Sequence, residues 1–301
     1  MIKNVVILGA DGKLGPSVLD ALVSANFNVT VLKRASSTSK SSYPSSVKEI
    51  RIADDFPAFE LSEALKDQDA VVVTIPGSKT ELQMRLAAAA VNAGVKRFIP
   101  ADFGSCDSDS KNAQELVPLY VEKAMLRKYL TSLADKNAGF SWTSLVCGHF
   151  FDWEPRFLHI DLKARKVDLL DGGEVRWSTS TFAQISKAVV RILERAEKEE
   201  TRNKMLYMQS FCVTQVQVWK ALEKATGSAW EVNNIDSGKF TNEHKGLADQ
   251  GDHDAVEEVV WVLGTLEADW EEKETFANGL LGLEREDLDE VIGRIVAAAP
   301  A

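Results

Sequence analysis

The sequence predicts an open, doubly wound parallel α/β sheet followed by a smaller α+β domain. Three observations carry this expectation. An apolar run, Val5-Val6-Ile7-Leu8, leads directly into glycines three apart at Gly9, Gly12 and Gly15. Strand-like and helix-like segments then alternate to about residue 150, the order that builds a parallel sheet covered on both faces. Beyond that point the pattern is less regular and ends in acidic helical stretches.

The opening module defines the fold further. The first glycine lets the chain turn sharply off the strand, the second lets backbone approach a pyrophosphate, and the third lets the following helix, expected over 16–26, pack closely on the sheet. A helix N-terminus offers unpaired N–H groups and partial positive charge to a phosphate. The turn residues Asp11, Lys13 and Leu14 share that position. A second strand over 28–32 completes a βαβ unit, so the first domain reads as an NAD(P)-binding Rossmann-like sheet.

Further elements follow in order. Strands are expected over 47–52, 70–75, 97–100 and 140–146, and helices over 61–66, 80–93 and 116–135. The run 70–75 is β-branched from Val71 on, as a strand buried on both faces should be, and Pro76-Gly77 closes it with a turn. Gly94 suits a helix C-terminus. After residue 150, segments 167–170 and 174–177 flank Asp171-Gly172-Gly173 and read as a hairpin. Helices over 181–198, 213–225, 257–270 and 286–298 and a strand over 204–208 complete the pattern. The domains are expected at 1–152 (dinucleotide) and 153–301 (substrate), with some later segments packing back on the first sheet.

Composition excludes several functions. There are 45 acidic against 35 basic residues, a net charge of −10, which is no match for nucleic acid. Three cysteines, Cys106, Cys147 and Cys212, are widely spaced, so neither a disulfide framework nor a zinc site is expected. No apolar run reaches the ~18–20 residues of a membrane helix, and no basic-then-apolar leader precedes the first strand. The expected protein is cytoplasmic, free of metal, and a monomer or homodimer.

In open α/β sheets the ligand lies beyond the carboxyl ends of the strands. The residues there are the glycine turn, Arg34, the stretch 74–77 with Thr74 and Ile75, the stretch 101–104, and 147–153. An NAD site places an acidic residue after the second strand. Here Lys33-Arg34 stand there, followed by serines, Thr38 and Lys40. A guanidinium grips a 2′-phosphate with two parallel hydrogen bonds, so NADPH/NADP+ is the expected cofactor. Lys123 and Arg127 are four apart and share a helix face. Two readings of that pair stand: cations flanking an anionic group such as a cofactor phosphate, or a solvated basic face. Tyr120 precedes Lys123 by three residues and not by the four of Y-x-x-x-K, so its part in proton transfer stays open.

The chain resembles the isoflavone reductase-like, NmrA-like family of atypical short-chain dehydrogenases/reductases, which includes phenylcoumaran benzylic ether reductases. The resemblance rests on Gly9-x-x-Gly12-x-x-Gly15, on Arg34, on the run 93–104 (AGVKRFIPADFG) and on the run 123–127 (KAMLR). The family usually reads AGVKRFIPSEFG, so Ala101-Asp102 depart from it. The resemblance implies Lys123 as general acid/base, Arg127 as a cofactor contact, Phe103 near the nicotinamide, and hydride delivery to an aromatic substrate. It also leaves a rival: some NmrA-like proteins bind dinucleotide and regulate a partner without turnover.

His149, Phe150, Phe151 and Trp153 follow the last strand of the first domain. They read either as aromatic walls for a flat substrate or as core packing. His244 and Asp252-His253-Asp254 show no metal-ligand spacing, no serine sits in a G-x-S-x-G elbow, and Cys106 has no partner base in the sequence.

Overall fold

A computed structural model describes residues 1–39 and 42–299. The first half alternates as expected: β1 (Asn4–Leu8), α1 (Gly15–Ser24), β2 (Asn28–Arg34), β3 (Lys48–Ile52), α2 (Ala58–Ala64), β4 (Ala70–Val73), α3 (Thr80–Asn92), β5 (Arg97–Ile99), α4 (Lys111–Leu116), α5 (Pro118–Lys136) and β6 (Ser141–Val146). The long helix expected from 116 begins instead at Pro118, because proline forces Val117 into extended backbone and splits off α4.

The later elements are β7 (His149–Phe150), β8 (Ile160–Asp161), β9 (Lys166–Leu170), β10 (Arg176–Ser180), α6 (Phe182–Glu194), β11 (Lys204–Tyr207), β12 (Phe211–Thr214), α7 (Gln215–Thr226), β13 (Glu231–Ile235), α8 (Ser237–Ala248), α9 (His253–Leu266), α10 (Asn278–Leu281) and α11 (Leu288–Ala298). The α7 boundaries follow local chemistry: a Thr214/Gln217 capping box opens it and left-handed Gly227 ends it.

The main sheet has seven strands in the order β11-β6-β5-β4-β1-β2-β3, all parallel. The strand order reverses between β1 and β4, which opens a crevice there. Alternation along the strands sorts the two cores. Val5, Ile7, Val31 and Val72 pack under α1 and α6, while Val6, Leu8, Val71 and Val73 pack under α2, α3 and α5. Chain beyond residue 152 thus supplies both an edge strand, β11, and a covering helix, α6, to the first sheet. Arg97, fully buried, fastens that return: it donates to Thr201 O at 2.8 Å and Ala196 O at 2.6 Å.

The expected hairpin over 167–177 does not form. β9 pairs with β8 and β13, whereas β10 pairs with β12 and β7 in a separate sheet. Asp171, Gly172 and Gly173 all take positive φ, and the left-handed run carries the chain off to the second sheet. Both small sheets pack with α7, α9 and α11 around Trp177, Phe211, Val213 and Leu263. Among the described residues, no helix is long and apolar enough to cross a membrane.

Candidate functional site

A cleft of about 880 Å³ runs over the carboxyl ends of β1, β2 and β4, lined by Gly9 to Gly12, Arg34, Ser37, Ile75 and Thr80 among others. That volume lies in the range of cofactor pockets. The glycines are there for steric reasons. Gly9 has φ +100°, and a Cβ on it would meet Thr74 backbone at 2.8 Å; a Cβ on Gly15 would lie 2.1 Å from Gly9 O. No side chain caps the N-terminus of α1, so the turn presents bare backbone to the cleft. Leu14 itself is buried in the core beneath, and Thr74 is buried with its hydroxyl on Leu8 O at 3.3 Å. Both shape the turn from behind.

At the far end of β2, Arg34 is exposed on the cleft wall. Tertiary structure brings two carboxylates there that sequence reasoning did not anticipate in this role. Asp54 accepts from Ser36 N at 3.0 Å and from the Ser36 hydroxyl, and these bonds hold its carboxyl below the usual range, with the Arg34 charge adding to them. Asp11 pairs with Lys33 at 2.7 Å and accepts from Tyr43 OH at 2.6 Å and from Ser39. Burial opposes the Lys33 charge, but Asp11 overcomes it and raises the ammonium above its usual value. This network ties the serine-rich segment after β2 to the glycine turn. Lys40, expected beside Arg34, lies outside the described residues.

Lys123 stands at the other end, on α5, against the ends of β4 and β5. Its Nζ donates to Asp102 O and lies 3.4 Å from Asp102 Oδ1. Gly77 packs closely on it: a Cβ there would come within 3.1 Å of Lys123 Cε. Arg127 is a correction to the expected cofactor contact. It is buried and committed inside the protein, to Asp102 Oδ2 and Ser108 Oγ at 2.7 Å through Nη1 and to Asp109 Oδ1 at 2.7 Å through Nη2. The anion that reconciles Lys123 and Arg127 is therefore Asp102. Burial opposes its ionisation, yet Lys123 and Arg127 hold the carboxyl below its usual value. The one sequence signal for it was its place in a post-strand loop, where the chain departs from the family pattern.

Phe103 is 9% exposed with a left-handed φ of +36°, packed in the core that includes Leu14 and Cys147. Tyr120 is fully buried with its hydroxyl 2.9 Å from Ser105 Oγ, and burial pushes it well above the usual phenol value. The aromatic wall needs correction too. Phe151 is sealed in the core, edge-on to Phe211 at 4.7 Å, and His149 is buried against Trp261 O and Trp177. Phe150 packs edge-on to Phe182 at 5.1 Å. These three serve packing, because their side chains are taken up by neighbours. Trp153 differs: half-buried, it stacks on Phe157 at 4.4 Å and carries Lys13 Nζ 3.5 Å above its ring, beside the glycine turn. No group of metal-ligating residues occurs among the described residues.

Fold and cleft together define a dinucleotide-binding protein of the Rossmann type. The chain belongs to the NmrA-like family, whose model matches residues 1–250. The oxidoreductase aprR of Aspergillus flavus is 34% identical over 302 residues, covering 98% of this chain and 99% of that protein. An isoflavone reductase of Pisum sativum is 28% identical over 69% of this chain and 70% of its own length. Among solved structures, AtPrR2 with NADP+ and (+)pinoresinol superposes with a TM-score of 0.78 at 19% identity, covering 98% of this chain and 99% of that one. That likeness shows the shared fold.

Proposed function

We propose that this chain is an NADPH-dependent reductase of a small aromatic substrate, with Lys123 as its general acid/base. The observation that carries the reading is the seat of Lys123: a buried side chain held on Asp102 at the strand ends, on the helix whose Glu122 and Met125 line the cleft. The residues fit the cofactor. The turn from Gly9 to Gly15 would hold the pyrophosphate through backbone amides, Arg34 with Ser37 the 2′-phosphate, and Ile75 a wall of the cleft. When bound, NADPH supplies a hydride, that is, two electrons and one hydrogen nucleus.

The rest falls to this chain. Lys123 Nζ gives one proton to the substrate atom that gains negative charge, so hydride and proton together add two hydrogens across the reduced bond. The aromatic substrate class is supported by relatives named isoflavone reductase and by the pinoresinol complex of AtPrR2. The free cysteines suit a cytoplasmic setting.

The test is NADPH oxidation, followed by its absorbance, against a panel of aromatic enones, quinones and benzylic ethers. Turnover of one class is expected, and Lys123→Ala should abolish most of it while leaving the Kd for NADPH unchanged. Tight NADPH binding with no turnover of any class would favour a dinucleotide sensor instead.

A further inference from the structure

We propose that Asp102 is the positioning residue of this site: its carboxylate, anchored by Arg127, seats the Lys123 ammonium at the strand ends. The proposal rests on the reading of Lys123 as proton donor. Asp102 Oδ2 is clamped from one side, accepting from Arg127 Nη1 at 2.7 Å and from the Ser144 hydroxyl. That clamp stops the carboxylate from rotating. It leaves Oδ1 buried, without a hydrogen-bond partner in the protein, 3.4 Å from Lys123 Nζ. The main-chain oxygen of the same residue accepts from Nζ as well. An ammonium has three donors. One donor is on Asp102 O, and Oδ1 lies near enough to hold the ammonium electrostatically.

The charges require this arrangement. Lys123, Asp102 and Arg127 are all less than 9% exposed. Without the carboxylate, two buried cations one helical turn apart would keep only the exposed Asp109, which pairs with Arg127 and leaves Lys123 without an acidic partner, a strongly unfavourable arrangement. The other titratable groups nearby do not substitute for it. Burial pushes Cys106 up to about 12 and raises Cys147, and Tyr120 is held neutral in the same way. Asp109 binds Arg127 on its outer side, and Glu122 accepts from Thr80 at 3.2 Å. Asp102 is thus a hinge-free bracket between an anchor and a working group, at the position where this chain has aspartate and its family pattern has glutamate.

The experiment compares full-length wild type, Asp102→Asn and Asp102→Glu. In Asp102→Asn, kcat should fall about 10²-fold, as for a misplaced catalytic group, with the Kd for NADPH unchanged. Asp102→Glu keeps the charge and should recover much of kcat. A readout without turnover uses lysine-labelled protein, with the Lys123 Cε signal assigned by its loss in Lys123→Arg. That signal should move in Asp102→Asn and return toward its wild-type position in Asp102→Glu. A signal unmoved in Asp102→Asn, or a kcat equal to wild type, overturns the proposal. If wild type reduces no aromatic substrate, the functional reading falls while the Cε signal still decides the role of Asp102. Should Asp102→Asn fail to fold, Ser144→Ala, which loosens Oδ2 and keeps every charge, should lower kcat several-fold; an unchanged kcat there overturns the proposal equally.

Discussion

Arg127 Nη1 meets Asp102 Oδ2 at 2.7 Å, and this contact decides what the basic face of α5 is for. Spacing alone allowed the two cations of that face to flank a cofactor phosphate. The structure places an internal carboxylate between them, so Arg127 works inward on Asp102 and Lys123 is the group held at the strand ends.

Arg34 stands on the cleft wall, and its neighbour Lys33 is bound to Asp11. Replacing Arg34 with alanine should weaken NADPH about tenfold, the worth of a charge-assisted hydrogen bond at an exposed site. NADH affinity should not change. Parallel titrations of the two nucleotides check this, and an equal loss for both would remove Arg34 from 2′-phosphate recognition.

Tyr120 is buried with its hydroxyl on Ser105. Tyr120→Phe should keep kcat near wild type and cost about 1 kcal/mol of stability, the loss of one buried hydrogen bond. A collapse of kcat with intact folding would restore tyrosine chemistry of the short-chain dehydrogenase kind.

His149 is buried, and desolvation lowers its pKa from the usual 6.5 to about 4, against a weaker pull from Trp261 O. Between those values the unfolded chain takes up a proton that the folded chain does not. Stability should therefore fall as pH drops from 6.5 toward 4. Urea midpoints across that window should show a shallower slope in His149→Gln.

His159 behaves oppositely. Burial opposes its charge, but Glu258 at 2.6 Å and Asp168 at 2.8 Å outweigh it and raise the imidazole above 6.5. Its stabilising effect is complete below pH 6.5 and is lost as pH rises through the raised folded value. Its neighbours Trp261, Phe240 and His244 complete this contact between the β8–β9 region and α8 and α9. Thermal melts from pH 6 upward should decline in wild type and lose that component in His159→Gln.

Much of the first domain was legible because its signals are local. The β-branched run at 71–73 and the glycine turn at 9–15 each need only near neighbours to be read. The hairpin expected at 167–177 failed for the complementary reason. Two strand-like segments flank a glycine turn there, but which sheet each joins depends on β7, β12 and β13, remote in sequence. His149 and Phe151 were equally ambiguous, since an aromatic residue after a strand looks the same whether it faces a cleft or α9.

The sequence by itself determined the parallel βαβ module, the glycine turn and the basic residue after β2, because strand periodicity, glycine stereochemistry and side-chain charge act within a few residues. Tertiary structure alone decided that Asp102 lies between Lys123 and Arg127, that Asp11 reaches Lys33 and Tyr43, and that β11 returns to the first sheet. Those contacts join residues from different elements, and long-range electrostatic pairing exists only once packing has brought the charges together and excluded water.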